Sequence, residues 1–123
     1  MNVCGFVVCF SVFTGLLNTN GMLDRAVALL STFFPIDTAA LRALLIGFWE
    51  LGSGIGALRG LSPTPIHLAI AAALVGWGGV SVHFQTLAVL SDTNIKGTLH
   101  TAGRLIHAIL SFLIVFCLAS LRS

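Results

Sequence analysis

Four features made of polar residues or glycines interrupt the long apolar runs of this 123-residue sequence, and they are the candidates for chemistry. The first is Glu50, which ends an apolar run and directly precedes Gly52-Ser53-Gly54. Burial raises the pKa of a carboxyl group towards the range where it exchanges protons. Glu50 is therefore a candidate for proton or cation coupling, and the alternative is a glutamate that faces water at the end of a helix.

Two glycine clusters, at 52–56 and 76–79, predict breaks in the helices that contain them. Each glycine costs about 1 kcal/mol in a helix relative to alanine. Broken helices are tolerated at membrane depth where they line a cavity, and their ends bind ions or anionic groups. Helix packing is the alternative, because glycines let backbones approach closely. A polar residue beside each cluster favours a binding role for Gly52, Ser53, Gly54, Gly78 and Gly79.

Three polar residues, Ser81, His83 and Gln85, follow the second glycine cluster and alternate with apolar residues. In an unwound segment these side chains would point the same way. The imidazole can donate, accept or titrate, and the amide is a fixed hydrogen-bonding group. The pattern predicts a polar binding surface, and the alternative is a single hydrogen bond from His83 to another helix.

The last apolar run carries a stripe of polar residues, His100, Arg104, His107 and Ser111, spaced four, three and four apart. This spacing puts them on one helical face. The functional interpretation is a cationic stripe that attracts an anion, with Arg104 as its fixed charge and His100 and His107 as helpers. The alternative is an interfacial stripe in which Arg104 extends to the lipid headgroups.

The sequence contains no nucleophile-base-acid set, phosphate loop or ligand pair for a redox cofactor. We therefore expect no enzyme activity, no cofactor and no metal site. The cysteines, Cys4, Cys9 and Cys117, lie in apolar runs without metal-ligand spacing, so they are predicted to be free and to pack as small hydrophobic residues.

Composition indicates an integral membrane protein in contact with the lipid bilayer. Hydrophobic residues make up 57% of the chain and charged residues 8%, and the mean hydropathy is +1.04. A soluble domain carries about 25% charged residues. A net charge of +2 offers no face for phosphates, which excludes a nucleic-acid partner. The length allows a single membrane domain over residues 1–123.

The apolar runs predict an all-α fold of about four membrane-inserted segments with two glycine-broken helices. Helices are expected over residues 3–17, 22–34, 39–50, 66–91 (broken at the glycines) and 98–121. The first is expected to be retained, because it lacks the basic start and cleavage site of a signal peptide. The second is too short to span, which favours an interfacial or half-depth helix.

Four crossings would divide the basic residues four against two between the membrane faces. On one side are Arg25, Arg42, Lys96 and Arg104, and on the other are Arg59 and Arg122. The excess favours the first group as cytoplasmic and puts both termini outside. So small a bias would let two copies insert in opposite orientations.

Three stretches of the sequence resemble one protein family. Residues 76–85 resemble the Gly-Gly-x-Ser-Val-His-x-Gln signature of the sporulation integral membrane protein YlbJ family, also called stage V sporulation protein VV. Residues 48–54 resemble its Glu-x-x-x-Gly element, and residues 103–107 resemble its final helix. The similarity covers residues 2–121 but only the C-terminal half of a family member.

The resemblance implies a nucleoside-recognition or Gate domain, related to concentrative nucleoside transporters. It implies transport of a small organic anion in an endospore-forming bacterium, namely dipicolinic acid, an aromatic dicarboxylate, across the outer forespore membrane. Because a full member has two Gate-type halves, the chain is expected to act as a half-transporter. It would pair as a homodimer, expected to be antiparallel, or with another Gate-type half.

Two other functions remain open from the residues themselves. One is a small proton-coupled multidrug exporter, which is also a four-helix dimer with a membrane glutamate. Trp49 beside Glu50 fits this class, but the histidine and arginine stripe does not. The other is a membrane assembly subunit without transport activity, in which the glycines serve only helix packing.

Overall fold

The computed structural model describes residues 3–123, and these residues form helices without any strand. This confirms the all-α prediction. In chain order the helices are α1 (Val3–Thr19), α2 (Met22–Ser31), α3 (Thr38–Trp49), α4 (Leu51–Ala57), α5 (Pro65–Trp77), α6 (Gly79–Leu90) and α7 (Gly97–Arg122). The second helix is shorter than predicted, because residues 32–34 form a turn with hydrogen bonds to Leu29 and Leu30.

In the described part of the chain, two apolar segments are long enough to cross a membrane, as expected for an integral membrane protein. They are Pro65–Leu90, which contains α5 and α6, and Gly97–Arg122, and each has 26 residues. A helical segment of that length extends about 39 Å, and the hydrocarbon core is about 30 Å thick. The pair α1 and α2 passes the same test together but bends by 74° at its break, so it gives a third candidate span.

The α3 and α4 helices form a hairpin, because α4 folds back onto α3. A Cβ atom built on Gly54 of α4 would overlap the Cα of Gly47 and lie 3.2 Å from the carbonyl oxygen of Ala43. The twelve residues of α3 rise only about 18 Å. Because the hydrocarbon core is about 30 Å thick, α3 alone is too short to cross it.

A polar cluster joins the start of α3 to the start of α5. Asp37 caps α3 by accepting a hydrogen bond from the Ala40 amide at 3.1 Å. Its other carboxylate oxygen lies 2.9 Å from Nε2 of His67, whose Nδ1 lies 2.6 Å from the Ser62 carbonyl. The two helices thus begin at one end of the molecule, here called the Asp37 end, and run in parallel towards its middle.

Four basic residues gather at the Asp37 end, which corrects the predicted division of charges. Arg42 bonds to Asp24 and Asn18, so the first three helices meet there. The return of α4 brings Arg59 to this end, and Arg122 lines a cleft with Pro63 and Pro65. Together with Arg25 they oppose Lys96 at the other end, because Arg104 lies between them. The Asp37 end therefore carries four basic residues and the opposite end carries one.

The cap at Asp37 predicts a stability that depends on pH. Burial raises the pKa of Asp37, but hydrogen bonds from His67 and from the Ala40 amide outweigh it, and the net pKa is lowered. Ionised Asp37 therefore stabilises the fold above its ordinary pKa of 3.8, and this contribution disappears as the pH falls through the lowered value. We expect Asp37→Ala to cost about 0.5–2 kcal/mol at pH 6. Thermal unfolding between pH 3 and 6 should show the gap to wild type narrowing with acid, whereas a constant gap would contradict this account.

Candidate functional site

The first helix break lies at Glu50, which separates α3 from α4. Its backbone is extended, with φ −142° and ψ 117°. Its carboxylate accepts hydrogen bonds from the amides of Gly52 at 2.8 Å and Ser53 at 2.7 Å. These amides belong to the first turn of α4 and have no partner within the helix. Glu50 is only 6% exposed, so it is a buried cap rather than a glutamate in water.

The helix break lies at Glu50, two residues before the predicted glycine cluster at 52–56. The Glu50 carboxylate supplies acceptors for the first amides of α4, so the glycines after it can enter the helix. Gly54 then packs on Gly47 of α3, where no side chain fits, while Gly52 is exposed. The three predicted residues therefore have two roles, since Gly52 and Ser53 hold the carboxylate and Gly54 closes the hairpin.

The second helix break lies at Gly78 and Gly79, within the predicted cluster. Their φ angles are 87° and 84°, in the left-handed region that glycine adopts most readily. The segment has 13 helical residues before Gly78 and 12 from Gly79 onwards. The break therefore divides a 26-residue candidate span at its middle.

The two breaks are in direct contact. A Cβ atom built on Gly79 would lie 3.0 Å from the amide nitrogen of Leu51, 3.3 Å from the carbonyl oxygen of Trp49 and 3.4 Å from the Cα of Glu50. The hairpin tip thus touches the unwound point of the longer helix. We call this contact the break crossing.

Two aromatic residues that the sequence analysis passed over support the break crossing. Nε1 of Trp77 donates a hydrogen bond to the carbonyl of Phe48 at 3.0 Å, near the end of α3. The two rings stack, with centroids 5.4 Å apart and planes 9° apart. A signal was present, since a tryptophan directly precedes each break, as Trp49-Glu50 and as Trp77-Gly78.

Arg104 reaches the break crossing from α7. Its Nε donates to the carbonyl of Trp77 at 3.3 Å, and one terminal nitrogen, Nη2, donates to that of Val75 at 3.5 Å. A Cβ atom on Gly78 would overlap the same terminal nitrogen. The guanidinium therefore lies at the C-terminal end of α5, where the helix dipole favours a cation. Within the described chain, Nη1 donates no hydrogen bond.

His83 lies beside the break crossing with no hydrogen-bond partner among residues 3–123. The residue is 6% exposed, and both ring nitrogens are buried and unpaired. Its ring meets Trp77 edge-on at 4.2 Å and His100 at 5.8 Å, and Nε2 of His100 is also buried and unpaired. Because buried polar atoms are nearly always hydrogen-bonded, these three nitrogens mark a place where a hydrogen-bonding ligand would be stabilised.

The other predicted residues of this segment lie on the same helix. Ser81 is 1% exposed and Gln85 is half-buried. The segment after Gly79 is a regular helix rather than an unwound strand of chain, so the three side chains of Ser81, His83 and Gln85 do not share one direction. His83 is the member of the three that meets α7 through His100.

The polar stripe of α7 is divided between two places. His100 and Arg104 face the break crossing, whereas His107 and Ser111 line an open groove of 570 Å³ between α4, α5 and α7. Close helix packing separates them, because a Cβ atom on Gly76 would lie 2.9 Å from the Cα of Ala108. His107 therefore lies about two helical turns after His100 on α7.

The break crossing combines a fixed cation, three buried imidazole nitrogens without a partner among the described residues, and a carboxylate that caps α4. The described residues hold no group of three or more His, Cys, Asp or Glu side chains able to bind a metal ion, and the three cysteines are free and exposed in their helices. Comparisons of the chain with protein-family models, curated proteins and solved structures found no match. The chemistry that these residues support is non-covalent recognition of a charged, hydrogen-bonding ligand.

The two hydrogen bonds to Glu50 give a prediction about its role. Glu50→Ala should cost about 0.5–2 kcal/mol of stability, as expected for a lost helix cap. Glu50→Gln keeps one acceptor and should lose less. If capping is the role of Glu50, the melting temperature of Glu50→Gln should lie between those of the wild type and Glu50→Ala. A Gln variant that melts as low as Glu50→Ala, or an Ala variant as stable as the wild type, would contradict this account.

Proposed function

We propose that the chain is half of a membrane transporter for a small organic anion, which binds at the break crossing. One observation carries the proposal: the backbone of Gly79 touches that of residues 49–51 at the middle of a candidate span, beside the Arg104 guanidinium. Transporters commonly bind substrates near the bilayer midplane, where the ends of broken helices meet.

The charges at the break crossing favour an anion. Arg104 is a permanent cation with a free terminal nitrogen, and the carboxylate of Glu50 is already engaged by two amides. Gly78 supplies no side-chain cap to the first turn of α6, so amides there are further donors. The guanidinium can hold a carboxylate through two parallel hydrogen bonds. A rigid dicarboxylate fits this set of donors.

The three stretches that resemble the YlbJ family converge in the fold. Glu50, in residues 48–54, is at the hairpin tip, and Gly79, in residues 76–85, touches it. Arg104, in residues 103–107, bonds to the end of α5. This convergence supports the proposal that the chain is a Gate-type half and that its substrate is dipicolinic acid, carried during sporulation across the outer forespore membrane. The proposed path runs past Glu50, Gly52, Ser53, Gly78, Gly79, Ser81, His83, Gln85 and Arg104, with His107 in the adjoining groove.

Pairing with a second half completes the proposal. The last helix packs mainly on α5, and most of its apolar side chains are exposed, including Leu105, Ile109 and Leu113. A second copy or another Gate-type half would cover part of this surface and close the path. The four-against-one charge distribution favours the same orientation for each copy, which argues against the antiparallel pairing expected from the sequence.

The site disfavours both rival functions. A multidrug exporter needs a free membrane carboxylate for cations, whereas both oxygens of Glu50 accept amide hydrogen bonds. An assembly subunit needs only packing, which does not explain unpaired imidazole nitrogens beside a guanidinium.

Uptake by liposomes containing the purified protein tests the proposal. Labelled pyridine-2,6-dicarboxylate should enter in a saturable way, and benzene-1,3-dicarboxylate should compete with it. Uridine and tetraphenylphosphonium should compete poorly. Uptake no faster than into protein-free liposomes, or preferential uptake of the cation, would contradict the proposal.

A further inference from the structure

The histidines differ in how their ring nitrogens are used. Both nitrogens of His67 lie within hydrogen-bond distance of an acceptor at the Asp37 end. His83 has two buried nitrogens without a partner in the described chain, and His100 has one. The rings of His83 and His100 are neighbours, with centroids 5.8 Å apart. We call them the imidazole pair.

Arg104 is the fixed charge that faces the imidazole pair. It extends from α7 to the end of α5, four residues after His100 on the same helix. Of the other elements packed near α6, α5 contributes Trp77 and α1 contributes Phe10 beside Phe84. The hairpin contributes Glu50, whose carboxylate oxygens accept hydrogen bonds from the amides of Gly52 and Ser53. Among residues 3–123, the imidazole pair therefore has a cation beside it and no free carboxylate.

This arrangement couples protons to anions through simple electrostatics. A positive charge added to the imidazole pair is repelled by Arg104, and burial strengthens that repulsion. A dicarboxylate bound at Arg104 turns this repulsion into attraction. Its second carboxylate attracts the positive charge on the imidazole pair and accepts a hydrogen bond from the imidazolium. Each ligand therefore favours the binding of the other, and the coupling is reciprocal.

We propose that the imidazole pair is a proton-binding site, and that one proton binds there together with each dicarboxylate held by Arg104. The proton passes from water to a ring nitrogen of His83 or His100, and no other bond is made or broken. The transporter then carries an anion and a proton as a unit, so an inward proton gradient drives anion uptake. This inference rests on the proposed function, since it assigns the coupling ion of the same site.

Calorimetry on the purified full chain counts the protons. Pyridine-2,6-dicarboxylate is titrated at pH 7 in HEPES and in Tris, whose ionisation enthalpies differ and which put no phosphate in competition for the site. If the protein takes up protons with the anion, the buffer releases them, and the observed enthalpy includes the buffer's ionisation enthalpy. The observed enthalpy should then be more positive in Tris, the buffer with the larger ionisation enthalpy. The wild-type measurement is decisive by itself and does not depend on the folding of a variant.

Variants then locate the proton. His83→Gln should reduce by at least half the number of protons taken up per anion bound. The double variant with His100→Gln should take up no protons but should still bind the anion, although more weakly. His67→Gln is the matched control, because its ring lies at the Asp37 end, and it should leave the uptake unchanged. Melting curves check that each variant is folded.

The outcomes separate the two proposals. Anion binding with equal enthalpies in both buffers, or proton uptake retained in the double variant, would overturn the imidazole pair as the coupling site and leave anion transport standing. The absence of binding by any tested dicarboxylate would overturn both.

Discussion

Gly79→Ala is expected to abolish anion uptake and to destabilise the fold. The left-handed conformation at this position costs a non-glycine residue about 1–2 kcal/mol. The new Cβ would also lie 3.0 Å from Leu51 N and 3.3 Å from Trp49 O. These are backbone atoms, which cannot rotate away as a side chain can, so the hairpin tip must shift by a few tenths of an ångström against the second break.

Gly103→Ala is the matched control for this experiment. Gly103 is in α7, and a Cβ there has nothing within 4 Å. Alanine in a helix is favoured over glycine by about 1 kcal/mol, so this variant should melt at the same or a higher temperature and keep its uptake. If Gly79→Ala matched Gly103→Ala in melting temperature and uptake rate, the two breaks would not be in contact.

Arg104→Gln should weaken dicarboxylate binding ten- to a hundredfold. Charge-assisted hydrogen bonds contribute roughly 1.5–3 kcal/mol, and about 1.4 kcal/mol is a tenfold change in Kd. Arg104→Lys keeps the charge but loses the planar fork, so it should fall between the wild type and the Gln variant. Equilibrium binding of labelled dicarboxylate in detergent gives the three Kd values.

Two controls distinguish anion recognition from support of the helix. Arg104 also donates to the carbonyls of Val75 and Trp77, so melting curves must accompany the binding data. Arg122→Gln removes an exposed arginine at the Asp37 end and should leave the Kd unchanged. An unchanged Kd in Arg104→Gln for every anion tested would show that this arginine serves the α5 terminus or the lipid interface alone.

Local features of this fold could be predicted from the sequence because short-range rules encode them. The Asp37 cap of α3, the break at Gly78 and Gly79 and the extent of α7 follow from side-chain capping, glycine conformation and apolar periodicity. Each depends on neighbours within a few residues.

The features that depend on distant residues could not be predicted. The sequence indicates a break near Glu50 but not that α4 folds back, because that depends on the fit of Gly54 against Gly47. For the same reason, the sequence placed Arg59 on the opposite membrane face from Arg42, whereas the return of α4 brings it to the same end. The imidazole pair also depends on tertiary packing, since its members come from α6 and α7.

The central claim is that the anion binds at the break crossing, and protection of a cysteine from alkylation tests it most directly. Val82 is half-buried, and its Cγ1 lies 3.5 Å from where a Cβ on Gly78 would stand. Val82→Cys is made in a chain whose three free cysteines are replaced by alanine. A charged, membrane-impermeant methanethiosulfonate is then applied to the protein in liposomes, with and without pyridine-2,6-dicarboxylate.

We expect Cys at position 82 to react from the aqueous phase and saturating dicarboxylate to slow the reaction at least severalfold. Leu113→Cys, on the exposed apolar face of α7, should stay unreactive with or without the anion. The same reaction rate at position 82 in the presence and absence of dicarboxylate, in a protein that binds the anion, would contradict the account.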